Sequence, residues 1–305
     1  MPCIYSRRIA MNGLATQFIP KYVMNAYGRD VTRGRVPGRK IDERRSVSTA
    51  RIVLSVQYDG TFRFLSFNPV DIRGDSAEWF GYDDGIPCSE APTMLDVIAQ
   101  AHEYIYGDDF NDRSCHKYLE VDEDGILRRI LGVPGLYTCY VVNGHYTYDA
   151  DSEYGRWGFR GLGYRETAVS DLDVVEVFGF QDSVGLDYYT YFLNPDGSWL
   201  RSAQVAPGEP ITMQHEGYMY VIGGPYRHVD RIEQRLVGPI AESKIAVVDP
   251  ITFDLIDVKD AVTDKRGFVT FSLDEPGGYY ITAYGGIPPR SRANLSLPCL
   301  PVIVS

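Results

Sequence analysis

The stretch TMLDVIAQAHEYIYG, residues 93–107, is the one convincing helix in this sequence and decides how the N-terminal half is organised. Thr93, with Asp96 three positions later, predicts a capping box, and Gly107 predicts the helix end. The apolar face recurs at helical spacing through Leu95, Ile98, Ala99, His102 and Ile105. Because this helix has a single apolar face, it must pack on a sheet.

Short strand-like segments surround this helix. Arg51–Tyr58 alternates apolar and polar residues, and Asp59-Gly60 predicts the turn of a hairpin. The Asp-, Gly- and Pro-rich residues 68–92 are typical of a long connection. The predicted strands of this half are 51–58, 62–67, 117–121, 126–131, 136–142 and 174–180. One crossing helix among strands predicts an α+β domain, β-grasp-like, over residues 46–183.

No helical pattern follows Ser183, so residues 186–305 are predicted to form an all-β domain. Short segments bounded by Gly, Pro, Asp or Asn favour an immunoglobulin-like β-sandwich. The predicted strands are 188–193, 198–205, 211–215, 218–222, 244–249, 268–273 and 279–284. Residues 263–267 predict a turn, and Tyr279 at a strand start predicts a tyrosine corner, in which the hydroxyl bonds back to the preceding backbone.

Length and net charge limit the number of domains and the classes of partner. The 305 residues suit two domains of ordinary size. The net charge is -11, yet residues 1–45 carry ten Lys/Arg against three Asp/Glu, so that segment is predicted to be a basic flexible arm. An acidic body argues against a nucleic-acid partner. No apolar run reaches the length of a membrane span, and the five cysteines form no CxxC pair.

Several stretches resemble a known family. They are TMLDVIAQAHEYIYG at 93–107, YTCYVVNG at 137–144, the Trp157-Gly158-Phe159 loop and SDLDVVEVFGF at 170–180. Together they resemble the transcobalamin C-terminal-like domain of unknown function found in bacterial surface proteins. Residues 246–250, 263–273 and 276–286 resemble the immunoglobulin-like modules that accompany it. The resemblance implies an extracellular or cell-surface location within a larger surface protein.

Metal and catalytic patterns are weak. Glu120, Asp122 and Asp124 mimic the start of a calcium loop, but Leu131 stands where a bidentate carboxylate is required. Cys115-His116 would form a metal or nucleophile site only if Cys139 or His145 lay nearby. No nucleophile elbow, P-loop or dinucleotide fingerprint occurs in a strand-to-helix context. We therefore expect no metal, no cofactor and no enzymatic activity.

The aromatic, glycine-rich segment 144–164 is the richest candidate for binding. Its rings offer large stiff surfaces with polar tips, which suit sugars, peptides or flat ligands, although burial under a long loop is the alternative. The predicted ligand-binding residues are Tyr146, Tyr148, Tyr154, Trp157 and Phe159. The sequence thus predicts a non-enzymatic ligand-binding or adhesion module for an extracellular glycan, peptide or protein. Capture of a corrinoid-like small molecule, and an enzyme whose site assembles only in the fold, are the alternatives.

Overall fold

The computed structural model describes most of the chain beyond the basic arm. The described residues are 47–66, 68–82, 90–111, 113–121, 127–134, 137–144, 164–165, 167–180, 187–220, 235–289 and 293–305. Residues 47–180 are called the N-terminal half below, and residues 187–305 the C-terminal half. The predicted arm, 1–45, and the predicted domain boundary, 183–186, lie outside the described residues.

Eight strands lie in the described residues of the N-terminal half. They are β1 (Thr49–Tyr58), β2 (Thr61–Leu65), β3 (Val70–Arg73), β4 (Glu120–Val121), β5 (Leu127–Ile130), β6 (Val133–Pro134), β7 (Tyr137–Val142) and β8 (Val174–Phe180). The main sheet has the order β2-β1-β8-β7, and β3 also pairs with β1. β1 and β8 run parallel, and the other pairs are antiparallel. The predicted hairpin is confirmed, because Asp59 and Gly60 both adopt the positive φ of its tight turn.

The main helix lies on this sheet as predicted. A single turn, α1 (Ser76–Trp79), precedes α2 (Met94–Tyr106). The predicted capping box is present: Asp96 N–H donates to Thr93 Oγ1, and Thr93 N–H donates to Asp96 Oδ2 at 2.9 Å. The helix packs into the same apolar core as β1 and β8, through Leu95, Ile98 and Ile105. Gly107 ends it with φ of 57°.

The C-terminal half is all β in the residues described. Its strands are β9 (Tyr189–Leu193), β10 (Ala203–Val205), β11 (Ile211–Tyr220), β12 (Arg235–Pro239), β13 (Lys244–Val248), β14 (Leu255–Val262), β15 (Phe268–Phe271), β16 (Gly277–Tyr284) and β17 (Leu300–Val304). One sheet has the order β10-β17-β16-β13-β14, and in the other β11 pairs with β9, β12 and β15. Apolar residues of both sheets form one core, which includes Met213, Phe271, Ile245, Ile281 and Val302.

The two faces of the N-terminal sheet are covered by different partners. Alternate residues of β1 and β8 face α2, and the others face the C-terminal half, because successive side chains of a strand point to opposite faces. Phe178 of β8 clusters with Tyr189 and Tyr218 of the C-terminal half. Gln57 of β1 pairs with the backbone of Leu297: its Nε2 donates to Leu297 O at 3.0 Å, and Leu297 N–H donates to its Oε1 at 2.5 Å.

We call this contact zone the seam; it comprises Ser55, Gln57, Val141, Glu176, Phe178, Phe180, Tyr189, Tyr218, Tyr280, Leu297 and Cys299. The apolar core is continuous across the boundary between halves, since Tyr280 and Leu297 belong to the same cluster as Leu54 and Ile98. The N-terminal sheet is therefore a middle layer between α2 and the sheets of the C-terminal half.

Several sequence predictions of element bounds were wrong. Residues 211–215 and 218–222 were expected to be separate strands, but β11 runs unbroken through Gly217. A side chain at Gly217 would crowd Thr190 and Ile240, so this glycine serves close packing instead of a turn. The predicted connection 68–92 contains β3 and α1, and the predicted strand 117–121 begins as a 3₁₀ turn at Cys115–Lys117.

Three strands of the C-terminal half were missed altogether, as were β3 and the two-residue β6 of the N-terminal half. β12 has a glycine and a proline at its end, and β14 alternates apolar residues with Asp and Lys on an exposed edge. β17 follows a proline-rich stretch near the C-terminus. None of the three has the strict period-two pattern that marks a half-buried strand. β12 and β14 each pair with the strand just before them, with Tyr218 opposite Val237 and Val247 opposite Ile256, whereas β17 pairs with β16 and with the more distant β10.

Candidate binding surface

The predicted ligand-binding residues Tyr146, Tyr148, Tyr154, Trp157 and Phe159 lie outside the described residues. The structure describes both chain ends that flank them. Asn143 and Gly144 follow β7 with φ of 52° and 74°. The Asn143 side chain ties this turn to β8, since its Nδ2 donates to Asp173 Oδ1 at 2.8 Å and its Oδ1 accepts from Val174 N–H at 3.0 Å.

The other flank is held near the start of α2. Tyr164 O accepts from Leu95 N–H at 2.8 Å, and the Tyr164 ring packs on Tyr140 with ring centres 4.9 Å apart. The predicted binding segment therefore begins beside the seam and returns at the helix face of the sheet.

Aromatic side chains of the C-terminal half meet the first of these flanks. Trp199 packs edge-on against Gly144: a Cβ there would lie 1.5 Å from a ring carbon of Trp199, so only glycine fits. Tyr218 Oη donates to Gly144 O at 2.7 Å. We call Tyr189, Tyr191, Trp199 and Tyr218 the aromatic cluster. Each of its rings lies about 6 Å from at least one other, the spacing of interacting aromatic pairs, and Tyr191 contacts all three of the others.

Charged groups border the aromatic cluster. The guanidinium of Arg201, an exposed residue, lies 4.5 Å from the Trp199 ring centre, within cation–π range. Tyr191 Oη donates to Glu216 Oε1 at 2.5 Å. Tyr191, Trp199 and Glu216 are each partly exposed. The group thus offers a ring face, a cation and a carboxylate on one surface, which is the set of functions that sugar and peptide ligands engage.

Sequence reasoning missed Trp199, Arg201 and Glu216 as candidates. They lie more than 50 residues from Gly144 along the chain and join it only through the packing of the C-terminal half on the N-terminal sheet. The tyrosines at 189 and 191 were the available signal, because aromatic residues two apart on a strand share one face. Identifying their partner required the tertiary contact.

Among the described residues, two histidines are fully buried and hydrogen-bonded within the fold. Burial lowers the pKa of His102 to about 4, and its Nδ1 bonds Ile98 O while its Nε2 accepts from Leu131 N–H at 2.9 Å. Burial also lowers the pKa of His215 to about 3, and its Nδ1 lies 2.8 Å from Ser243 Oγ. Neutral imidazole therefore belongs to the fold at both positions.

The Cys115-His116 candidate is not an open nucleophile site. Cys115 is fully buried and its Sγ contacts Phe80 O at 3.6 Å, whereas the ring of exposed His116 lies 3.4 Å from Tyr82 Oη. The side chain of Cys139 and the whole of His145 fall outside the described residues. In the part of the chain that the structure describes, no three His, Cys, Asp or Glu side chains gather as a metal site would require.

Comparisons of the chain with protein-family models, with curated proteins and with solved structures find no match. Across the described ranges, no helix has both the length and the apolar character of a membrane span.

Proposed function

We propose that this chain is a ligand-binding or adhesion module of a bacterial surface protein and that it recognises an extracellular glycan, peptide or protein. The observation that carries the proposal is the contact of Trp199 with Gly144, where the aromatic segment 144–164 begins; Arg201 and Tyr191 both pack on the Trp199 ring. The start of the aromatic segment and the aromatic cluster, remote in sequence, thereby meet at that edge of the sheet. Rigid aromatic rings beside a cation and a carboxylate favour recognition at that edge.

The proposed fold of the N-terminal half is β-grasp-like. Two features support it: a β1–β2 hairpin followed by a helix, and a late strand, β8, that lies parallel to β1 in the middle of the sheet. This is the arrangement that the resemblance to the transcobalamin C-terminal-like domain implies. A long ordered connection on such a sheet is a common place for recognition.

The proposed fold of the C-terminal half is an immunoglobulin-like sandwich. β10 adds to β17 in parallel, β11 pairs with β15, and the two sheets share one core. The predicted corner bond is present, since Tyr279 Oη donates to Glu275 O at 2.7 Å just before β16. In this proposal the sandwich supports the binding edge through Trp199 and Tyr218.

The experiment is a screen of the whole chain on a glycan array and an array of extracellular-matrix proteins. For any retained probe, Trp157→Ala and Arg201→Ala are each expected to weaken binding about tenfold, the effect of removing an interface anchor. Arg266→Ala is the matched control, because Arg266 also stacks over a ring, that of Phe268, at 5.1 Å, but in a turn of the sandwich away from Gly144.

Equal losses for Arg201→Ala and Arg266→Ala would contradict the proposed surface. Arrays that retain nothing, combined with a pink chromophore bound after incubation with cobalamin, would favour the small-molecule alternative. The melting temperature of each variant is measured alongside, because a large fall would assign the altered side chain to the core.

A further inference from the structure

Glu176 is a carboxyl group enclosed between the two halves of the molecule. It lies in β8, directly beside Ser55 of β1 and Val141 of β7, and only 6% of its surface is exposed. Neighbouring residues on the same face include Phe178, which packs on the C-terminal half. A carboxyl at the centre of a contact face is uncommon, because burial penalises its charged form.

Among the described residues around Glu176, no cation is present to neutralise a negative charge. Its carboxyl oxygen Oε2 accepts a hydrogen bond from Tyr189 Oη, which reaches across from β9. Cys299 lies just before β17. Burial raises the pKa of its thiol, and the nearby Glu176 carboxylate raises that pKa further. The other titratable groups of the seam are the phenols of Tyr218 and Tyr280. The seam as defined contains no lysine, arginine or histidine.

We propose that the seam is a pH-sensitive joint, in which protonated Glu176 fastens the C-terminal half onto the N-terminal sheet and ionised Glu176 loosens it. The bond that breaks is the O–H of the carboxylic acid, and its proton passes to solvent. The charge left behind faces Tyr189, Phe178 and Val141 in a zone that both halves enclose. Separation of the two surfaces would hydrate that charge, so ionisation favours the opened arrangement.

The sign of the pH effect follows from the same geometry. Burial raises the pKa of Glu176 from 4.5 to about 7, against the opposing effect of the Tyr189 hydrogen bond. An acid whose pKa is raised in the folded state contributes stability that is complete below the unfolded-state value and is lost as the pH rises through the folded-state value. The window of loss therefore runs from 4.5 to about 7.

Two buried histidines titrate in the opposite direction, and two further groups stay neutral in this window. His102 and His215 have lowered pKa values, so protonation destabilises the fold as the pH falls from 6.5 towards those values. Burial raises the pKa of Tyr280 and of Cys299, which keeps both neutral near pH 7. Of these five groups, Glu176 is the one whose ionisation lowers stability as the pH rises towards neutrality.

The test is urea unfolding of the whole chain and of Glu176→Gln between about pH 5 and about pH 8. The wild-type folding equilibrium constant is expected to drop on the order of 100-fold relative to the variant, because glutamine keeps the shape and the acceptor without the charge. Glu216→Gln is the matched control, since Glu216 also accepts from a β9 tyrosine, Tyr191, but at a partly exposed position. It should retain the wild-type pH dependence.

Amide hydrogen exchange locates the effect. The N–H of Leu297, which bonds Gln57 across the seam, should lose protection at the higher pH in the wild type and keep it in Glu176→Gln. The N–H of Thr282 in β16, inside the sandwich sheet, serves as the internal reference. Identical pH profiles for the wild type and Glu176→Gln, or equal loss of protection at Leu297 and Thr282, would overturn the proposal.

A second variant keeps the test decisive if Glu176→Gln fails to fold. Tyr189→Phe removes the hydroxyl that favours the ionised carboxylate. It should therefore shift the midpoint of the pH-dependent loss upwards. A midpoint that stays in place or moves down would contradict the joint.

Discussion

The two faces of the N-terminal sheet are both buried, but their chemistry differs. On the face towards α2 the central strands present aliphatic side chains: Ile52, Leu54, Val56 and Val175 are all at most 2% exposed. The face towards the C-terminal half places polar groups between aromatic rings, with Ser55, Gln57 and Glu176 set among the rings of the seam. The first face is covered by the side chains of one helix, whereas the second meets several elements of the C-terminal half: Glu176 of β8 bonds Tyr189, 13 positions away, and Gln57 of β1 bonds Leu297, 240 positions away.

This difference shows how a strand pattern can mislead. The alternation of Ile52, Leu54 and Val56 with Ser55 and Gln57 is typical of a sheet with one solvent-exposed face. In the structure the polar residues are also buried, and they bond across the seam instead of to solvent. The polar face is therefore an interface whose partner lies elsewhere in the same chain.

The largest loss of unfolding free energy is expected when one apolar residue of either face is truncated. Phe178→Ala in the seam should lower the free energy of unfolding by about 3 to 5 kcal/mol, the usual loss for a fully buried phenylalanine. Leu54→Ala on the helix face should cost about 2 to 5 kcal/mol for the same reason. Urea unfolding at one fixed pH measures both.

The pair of substitutions tests whether both faces are core. If Phe178→Ala costs less than about 1 kcal/mol while Leu54→Ala costs several, the C-terminal half is only loosely docked and the seam is not a core. Comparable losses would mean that the sheet is a middle layer of one cooperative unit. Independent folding of residues 46–183 and 186–305, which the sequence analysis predicts, remains a prediction that this comparison bears on directly.

Local chemistry made much of the fold predictable. The Thr93–Asp96 capping box, the Asp59-Gly60 turn and the Tyr279 corner bond are each confirmed, because each depends on residues a few positions apart. The mostly-β composition with one main helix follows from periodicity alone. Strands such as β12 and β14 escaped prediction because their residues lack a strict alternation of apolar and polar side chains, although each pairs with the strand just before it.

The candidate site was predictable only in part. The aromatic segment 144–164 is visible in the sequence, but the contact of Trp199 with Gly144 depends on how the halves pack. Likewise, Glu176 resembles a solvent-facing residue of an alternating strand, because its neighbours in sequence do not indicate that Tyr189 donates a hydrogen bond to it. Residue type indicates which groups can bind or titrate, whereas tertiary packing decides which of them meet.

A smaller effect is expected at the polar contact between Gln57 and Leu297. Gln57→Ala removes a side chain that both donates to and accepts from that buried backbone. Two backbone groups would lose their partners, so we expect a loss of about 2 kcal/mol in unfolding free energy. Gln204→Ala is the control, because Gln204 is exposed and bonds only Ser305 Oγ at 3.4 Å. Equal losses for the two would mean that water reaches the seam at Gln57.

The smallest losses of unfolding free energy are expected for two adjacent tyrosines of β16. Tyr279 bonds within the C-terminal half, whereas Tyr280 bonds the N-terminal half. Tyr279→Phe removes the corner bond to Glu275 O, 2.7 Å long and internal to the sandwich, and should cost about 1 kcal/mol. Tyr280→Phe removes a longer bond of 3.3 Å to Ser66 O in the other half, so we expect about 0.5 kcal/mol. Both changes keep the ring, and urea unfolding therefore reports the hydroxyl alone. A loss at Tyr280 larger than that at Tyr279 would mean that polar bonds across the seam hold the halves together more strongly than their geometry implies. The two faces of the N-terminal sheet would then differ in the strength of their polar bonds as well as in their composition.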